Sequence, residues 1–369
     1  MNAKMFKRST GNLRGKTIGG AAVLAALGVG ISLTPGASAD TNRQNTESGT
    51  GARTIDATVF SKITNAHDDS ILGKHIKSLP EGPSFGPDGN LYMTDASAPS
   101  GKPKVLKLDM GSKQTTTLHT DRASSYSSAQ FSPKDGKLYL TDMAGRIQRM
   151  DRDGSNVTTV FEGKIDGRPM AADDIAFDPD GNMYITDFTG NPWKPDGRVV
   201  RLDANGKAPS VLQKGLSSPN GISFNRDYSR LWVTENTANR VSNFELNDDR
   251  TSIVHGSAGM QVDLGTYSAA GKELPIALDS NAVDADGNVY QPLHGGGEVL
   301  VWNPNGDLLA TVKLKDNLPK DQLGATNLAI KPGTNDAYLT VGGDNGGYVY
   351  HFKAPGKGIS QSNGGGATY

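Results

Sequence analysis

From residue 54 to residue 355 apolar and polar positions alternate in short runs, each bounded by Gly, Asp, Asn, Ser or Pro. Alternation with a period of two between turn-forming residues predicts β-strands, and no long amphipathic helix is evident. One run recurs as "PSFGPDGNLYMTD", "AQFSPKDGKLYLTD", "IAFDPDGNMYITD", "ISFNRDYSRLWVTE", "NAVDADGNVYQPL" and "LAIKPGTNDAYLTV". Its apolar anchors, Phe85, Phe131, Phe177, Phe224, Val283 and Ile330, are separated by 46, 46, 47, 59 and 47 residues. In each unit the hairpin leads to a third strand such as "KVLKLD", "RVVRLD" or "EVLVWN", and usually to a fourth such as "TTTLHT" or "TTVFE". Four-stranded units with a period in the forties cannot bury their faces singly and stack around a channel. The predicted fold is therefore all-β, a six-bladed β-propeller with four-stranded blades. The last unit has no clear fourth strand, and "TIDATVF" (Thr54 to Phe60) has no unit of its own. That segment is expected to complete the sixth blade and close the ring, which removes an open sheet edge. Irregular loop or helical content is expected in the longest interval, around "GSAGMQVDLGTYSAAGKELP".

The rest of the chain divides by composition. Five cations (Lys4, Lys7, Arg8, Arg14, Lys16) precede the small, apolar run "TIGGAAVLAALGVGISLTPG", and Ala37-Ser38-Ala39 follows. This order predicts a signal peptide over 1–39, a secreted or extracytoplasmic protein beginning at Asp40, and no membrane span after cleavage; an uncleaved anchor is the alternative. Residues 40–53 and the Gly/Ser-rich tail 356–369 are expected to be flexible ends of the 54–355 domain. The net charge of -1 favours no nucleic acid. The absence of cysteine excludes disulfides, thiolate zinc sites, a lipidated cysteine and a cysteine nucleophile. Asp178-x-Asp180-Gly181-Asn182 and Asp284-x-Asp286-Gly287-Asn288 look like the starts of calcium loops, but the glutamate at the twelfth position is missing, and they read as hairpin turns. Gly295 to Gly297 opens no helix and reads as a wide turn rather than a phosphate cradle.

Counting back four residues from each anchor gives Glu81, Ser127, Asp173, Asn220, Asp279 and Thr326, all polar and all at the entrance of an innermost strand. In the predicted fold these entrances converge at one end of the channel. Three acids buried together raise each other's pKa unless a cation or shared protons compensate them. All-oxygen donors favour a hard ion, Ca2+ first and then Mg2+ or Mn2+. Glu81, Asp173, Asn220 and Asp279 are the candidate ligands. Ser127 and Thr326 either face the pocket or cap backbone groups. Asp174, Ser280 and Asn327, one residue further in, are candidates to orient the ligands or to serve a second ion, with local turn hydrogen bonding as the alternative. Trp193 and His294, on loops between strands, either line a pocket above the ion or are ordinary surface residues. The other histidines share no spacing that suggests a ligand set.

With "EGPSF", "DDIAFDPDGNMYITDF", "SPNGISF", "LWVTENTANR", "LDSNAVDADGNVY" and "GGGEVLVWN" in place, the chain resembles the senescence-marker/gluconolactonase family (regucalcin, gluconolactonases, diisopropyl fluorophosphatase) over nearly all of residues 55–355, and looks closest to its branch of staphylococcal drug-responsive lactonases. The resemblance implies that Glu81, Asn220 and Asp279 hold a catalytic Ca2+. Asp173 falls where many members carry asparagine, which leaves open whether Asp173 or Asp174 touches the metal. In the lactonase branch a structural Ca2+ lies near this entrance, and Asp173 and Asp174 are the positions that would share in it.

The expected function is that of a secreted Ca2+-dependent lactonase acting on a small lactone, with Asp279 as the base or the proton-transferring acid. An organophosphate hydrolase of the fluorophosphatase type and a non-catalytic exported binding propeller are the alternatives. The oligomeric state is not legible, and a monomer is favoured.

Overall fold

The computed structural model describes residues 52–70, 77–263, 268–269, 272–273, 277–315 and 324–360. The segment 1–39, expected to be a signal peptide, and nearly all of the 40–53 segment lie outside them.

The first four repeat units each fold as a separate antiparallel meander. They comprise β2 (Pro80–Phe85), β3 (Leu91–Asp95), β4 (Pro103–Leu108) and β5 (Thr115–Thr120); β6 (Tyr126–Phe131), β7 (Leu138–Asp142), β8 (Arg146–Met150) and β9 (Thr158–Glu162); β10 (Ala172–Phe177), β11 (Met183–Asp187), β12 (Gly197–Leu202) and β13 (Ser210–Leu216); and β14 (Pro219–Phe224), β15 (Arg230–Glu235), β16 (Arg240–Leu246) and β17 (Ile253–Asp263). The inner strands and the strands after them are buried along their whole length, with only Asp173 and Arg230 partly open, so the hydrophobic layers lie between successive sheets. A repeated ring contact staples neighbours together: Tyr92 meets Phe131 edge-on at 4.9 Å, Tyr139 meets Phe177 at 5.1 Å and Tyr184 meets Phe224 at 4.8 Å. The tyrosine hydroxyls end on the turn aspartates, Tyr92 on Asp88, Tyr139 on Asp135 and Tyr184 on Asp178. These aspartates also hold their own turns, as in Asn182 N to Asp178 Oδ1 at 2.9 Å, so the calcium-loop look-alikes are hairpin turns.

The last third departs from the expected architecture. Beyond β18 (Ser268–Ala269) and β19 (Lys272–Glu273), β20 (Ala277–Leu278), β21 (Ala282–Val283), β22 (Val289–His294), β23 (Glu298–Trp302), β24 (Leu308–Leu314), β25 (Gly324–Ile330), β26 (Asp336–Gly343), β27 (Gly346–Lys353) and β1 (Arg53–Thr64) form one nine-stranded sheet. Because His294 also pairs with Gly324, the seven strands β22-β23-β24-β1-β27-β26-β25 close on themselves. The expectation of six four-stranded blades closed by the N-terminal strand is thus replaced by four propeller-like sheets plus a closed seven-stranded barrel. The cause is β1, whose twelve residues satisfy two edges. Arg53 to Ala57 run parallel to Ala310 to Leu314, whereas Thr58 to Thr64 run antiparallel to His351 to Gly347 through two register shifts. A strand that stopped at one partner would leave the edge of β24 open.

The longest interval is also corrected. β17 continues as strand to Asp263, and β18 pairs with β19, where loop or helix was expected; residues 264–267, 270–271 and 274–276 lie outside the described set. The tail expected to be flexible from Gly356 is docked as far as described: Gly358 bridges Asp284 and Pro332, and Ile359 is buried. No helix among the described residues is long and apolar enough to cross a membrane.

Each of the first four second strands ends in a buried acid with a basic partner. Asp95 meets His67 Nε2 at 2.9 Å, Asp142 meets Arg146 Nε at 2.9 Å, Asp187 meets Arg198 Nε at 2.7 Å and Glu235 meets Arg240 Nε at 2.7 Å. Glu235 is fully buried. Truncation by Arg240→Ala therefore leaves a buried charge without its cation and is expected to cost about 3 kcal/mol or more. Urea unfolding of the two proteins reads this directly, and an unchanged midpoint would refute it.

Candidate functional site

The inner strands follow one another around a closed circuit in which β2 adjoins β6, β6 adjoins β10, β10 adjoins β14, β14 adjoins β21, β21 adjoins β25 and β25 adjoins β2. The ladder joining each of them to its second strand is interrupted at the entrance. Register shifts fall between Glu81 and Ser84, Tyr126 and Ser128, Ala172 and Ile175, Pro219 and Ile222, and Ala325 and Leu328. In the fifth unit the inner strand is split, and Asp279 sits between β20 and β21. Every residue at the equal offset therefore lies at or inside a break in a ladder, where a bulge re-aims a side chain. Gly82 makes the first break possible. Its φ is +52°, and a Cβ there would fall 2.4 Å from Ala129 N and from Ser128 Cα.

Glu81, Asp173, Asp174 and Asp279 are brought into one another's electrostatic range. Burial first, then Asp279, Asp173 and Asp174, push the Glu81 carboxyl well above its ordinary range, opposed by a 3.2 Å bond from Gly82 N. Asp173, the most open of the set, is pushed up by the protein packed around it, by Asp279 and by Asp174, and only Ser127 opposes the shift. Among the described residues no lysine or arginine takes part, in contrast to Asp142, Asp187 and Glu235 at the ends of their second strands. Asn220 and Asp279 complete the buried group, and Ser280 Oγ donates to Asn220 Oδ1 at 3.1 Å.

The neighbouring candidates have visible tasks. Asp174 has both oxygens engaged: Ser128 Oγ at 2.6 Å and Ile175 N at 2.9 Å reach Oδ1, and Ile222 N reaches Oδ2 at 3.3 Å. It thereby ties three successive inner strands, and burial lifts its carboxyl to about 6 against those bonds. Ser127 Oγ donates to the Ala172 and Asp173 carbonyls at 2.9 Å, and Thr326 Oγ1 donates to the Pro80 carbonyl at 2.6 Å, so both cap neighbouring backbone. Asn327 Oδ1 accepts Leu328 N at 2.7 Å. His294 reaches the site, with Nδ1 3.2 Å from Asp279 Oδ2. Trp193 does not close over it: its side chain is 88% exposed on a turn held by Asn191 Oδ1.

Sequence reasoning passed over the threonines of the recurrent second strand. Thr141 and Thr186 donate to the Asp173 and Asn220 carbonyls of the next unit, and Asp174 N donates to Thr186 Oγ1 at 2.9 Å. They fix the backbone from which two candidate ligands project, and their signal was the threonine in "YLTD" and "YITD".

The donor set fits a hard divalent cation: side-chain oxygens of Glu81, Asp173, Asn220 and Asp279, three of these groups carboxylates, with no lysine or arginine among the described residues to balance them. Among the described residues no three His, Asp or Glu side chains already stand in a metal-gripping arrangement. The acids are close enough to raise one another's carboxyl pKa.

The chain is 28% identical over 286 residues to the protein named lactonase drp35 from Staphylococcus saprophyticus, covering 75% of this chain and 84% of that one. The lactonase drp35 of Staphylococcus aureus is 29% identical over 264 residues, 70% of this chain and 77% of its own. Among solved structures, a regucalcin from Agrobacterium tumefaciens, described as a calcium-binding protein, superposes with a TM-score of 0.60 at 17% identity, covering 84% of this chain and 99% of that one. The SMP-30/Gluconolactonase/LRE-like region matches residues 79–341, most of the chain, and the protein belongs to that family.

Proposed function

We propose that the protein is an exported, Ca2+-dependent lactonase that opens a small lactone at the mouth of the inner-strand ring. The observation that carries this reading is the acid cluster: Glu81, Asp173 and Asp279 lie together with Asn220 and, among the described residues, with no lysine or arginine, while the second-strand acids Asp142, Asp187 and Glu235 each have an arginine. The relatives named lactonase supply the substrate class. The leader composition of residues 1–39 supports export.

Glu81, Asp173, Asn220 and Asp279 are the residues that would hold the ion, with Ser280 orienting the Asn220 amide oxygen. When bound, a hard cation polarises the ester carbonyl and stabilises negative charge that develops there. Asp279 takes a proton from the attacking water as the water oxygen bonds to the acyl carbon. The ring C–O bond then breaks, and the same proton passes to the departing alkoxide oxygen, giving a hydroxy acid. The dry surroundings of Glu81 and Asp279 strengthen each charge interaction along the way.

Steady-state rates on a panel of five- and six-membered lactones and one phosphotriester, with chelator and with added Ca2+, test the reading. Lactone hydrolysis that chelator abolishes and Ca2+ restores is expected. Faster phosphotriester cleavage, or turnover indifferent to chelator, would overturn it.

A further inference from the structure

Of the residues around the ring, His294 is tied to one acid alone. It ends β22, where its backbone pairs with Ala277 on one side and with Gly324 on the other, so it sits at the seam that closes the barrel. Its Nδ1 is buried, lies 3.2 Å from Asp279 Oδ2 and makes no hydrogen bond in this conformation. A small ring rotation separates this contact from a bond, because the distance is already that of a hydrogen bond. The ring has its place because residue 324 is glycine: a Cβ there would stand 2.5 Å from His294 Cε1 and 2.9 Å from Nδ1. The backbone under Asp279 is held from the same strand, since Gln291 Nε2 donates to the Asp279 carbonyl at 2.9 Å and to the Ser280 carbonyl at 3.2 Å. Asp279 Oδ1 in turn accepts Ser280 N at 3.1 Å. One oxygen is thus fixed by its own strand, and the other faces the imidazole. Among the described residues, no ring nitrogen stands against Glu81 or Asp173.

We infer that His294, seated by Gly324, is a positioning residue that orients the Asp279 carboxylate through Nδ1 and so sets both the grip on the cation and the geometry of proton transfer. This rests on the lactonase reading for its catalytic half, while the cation half stands apart from any substrate. Outer partners of metal-binding side chains commonly contribute ten- to hundredfold to affinity or rate.

The test compares four full-length proteins: wild type, His294→Phe, His294→Asn and Gly324→Ala. Ca2+ affinity is read by calorimetry on chelator-stripped protein, and kcat and KM are read on γ-butyrolactone, with circular dichroism to check the fold. His294→Phe keeps the ring volume but removes the donor. It is expected to weaken Ca2+ binding and to lower kcat, each about tenfold or more, with little change in KM. His294→Asn places an amide N–H near the position of Nδ1 and is expected to recover most of both losses. Gly324→Ala pushes the ring aside and is expected to reproduce the phenylalanine variant. The inference is overturned if His294→Phe binds Ca2+ and turns over lactone within about twofold of wild type, or if asparagine recovers no more than phenylalanine does. A wild-type protein that binds Ca2+ but hydrolyses no lactone removes the proposed function and leaves the affinity comparison to decide the role of His294.

Discussion

Asp279→Ala is expected to leave the protein folded and to lower lactone turnover by about a thousandfold or more, the scale of losing a positioned proton-transfer group together with a ligand. Folding should survive because Asp279 contributes repulsion where it sits: it is among the groups that push the Glu81 and Asp173 carboxyls upward. Removing it relieves both, so the chelated variant should melt no lower than chelated wild type. Asp279→Asn separates the two roles assigned to the side chain. The amide keeps an oxygen donor but cannot carry the proton, so Ca2+ binding should survive in weakened form while turnover is lost. Stopped assays over hours on the small lactone panel, beside Ca2+ titrations, give both readings. Retention of more than about a tenth of wild-type kcat by either variant would remove Asp279 from the chemistry.

The parts legible from sequence were those written once per unit. The anchors Phe85, Phe131, Phe177 and Phe224 and the Asp-Gly turns repeat at near-constant spacing, because each unit must make the same contact with its neighbour. The equal offset of Glu81, Asp173, Asn220 and Asp279 was visible for the same reason. What a period cannot show is a contact made once. β1 satisfies β24 and β27 with its two halves, and a search for the missing fourth strand assigns it a single partner. The closure through His294 and Gly324 is likewise unique to the barrel seam, so His294 read as a loop residue, more commonly an ordinary surface histidine than one lining a pocket. Nor does spacing distinguish Asp173 from Asp187, both acids in "DDIAFDPDGNMYITD". The fold separates them by giving Asp187 two arginines, Arg168 and Arg198, and giving Asp173 only hydroxyl company and other acids.

Ca2+ is expected to raise the melting temperature, and to raise it more at pH 7.5 than at pH 5. A carboxyl whose pKa is higher in the folded protein than in the unfolded chain binds more protons when folded, so its contribution to stability is fully present below the unfolded value near 4 and is lost as pH rises through the folded value. Asp174 is lifted to about 6, and Glu81 and Asp173 are pushed up by burial and by neighbouring acids, so the chelated protein should lose stability progressively from about pH 4 through 6 and beyond. The arginine-paired acids act alike with and without the ion, and the difference between chelated and Ca2+-loaded samples isolates the cluster. At a hundred times its dissociation constant the ion adds about 2.7 kcal/mol at pH 7.5, an increment of several degrees for a domain of this size. At pH 5 protons compete for the same oxygens and the increment should shrink. Glu81→Gln supplies the internal control, because removing one ionising carboxyl should flatten the pH dependence of the chelated protein while weakening the response to Ca2+. Scanning calorimetry at the two pH values gives all four numbers, and equal increments at pH 5 and pH 7.5, or none at either, would mean that these acids do not share a cation.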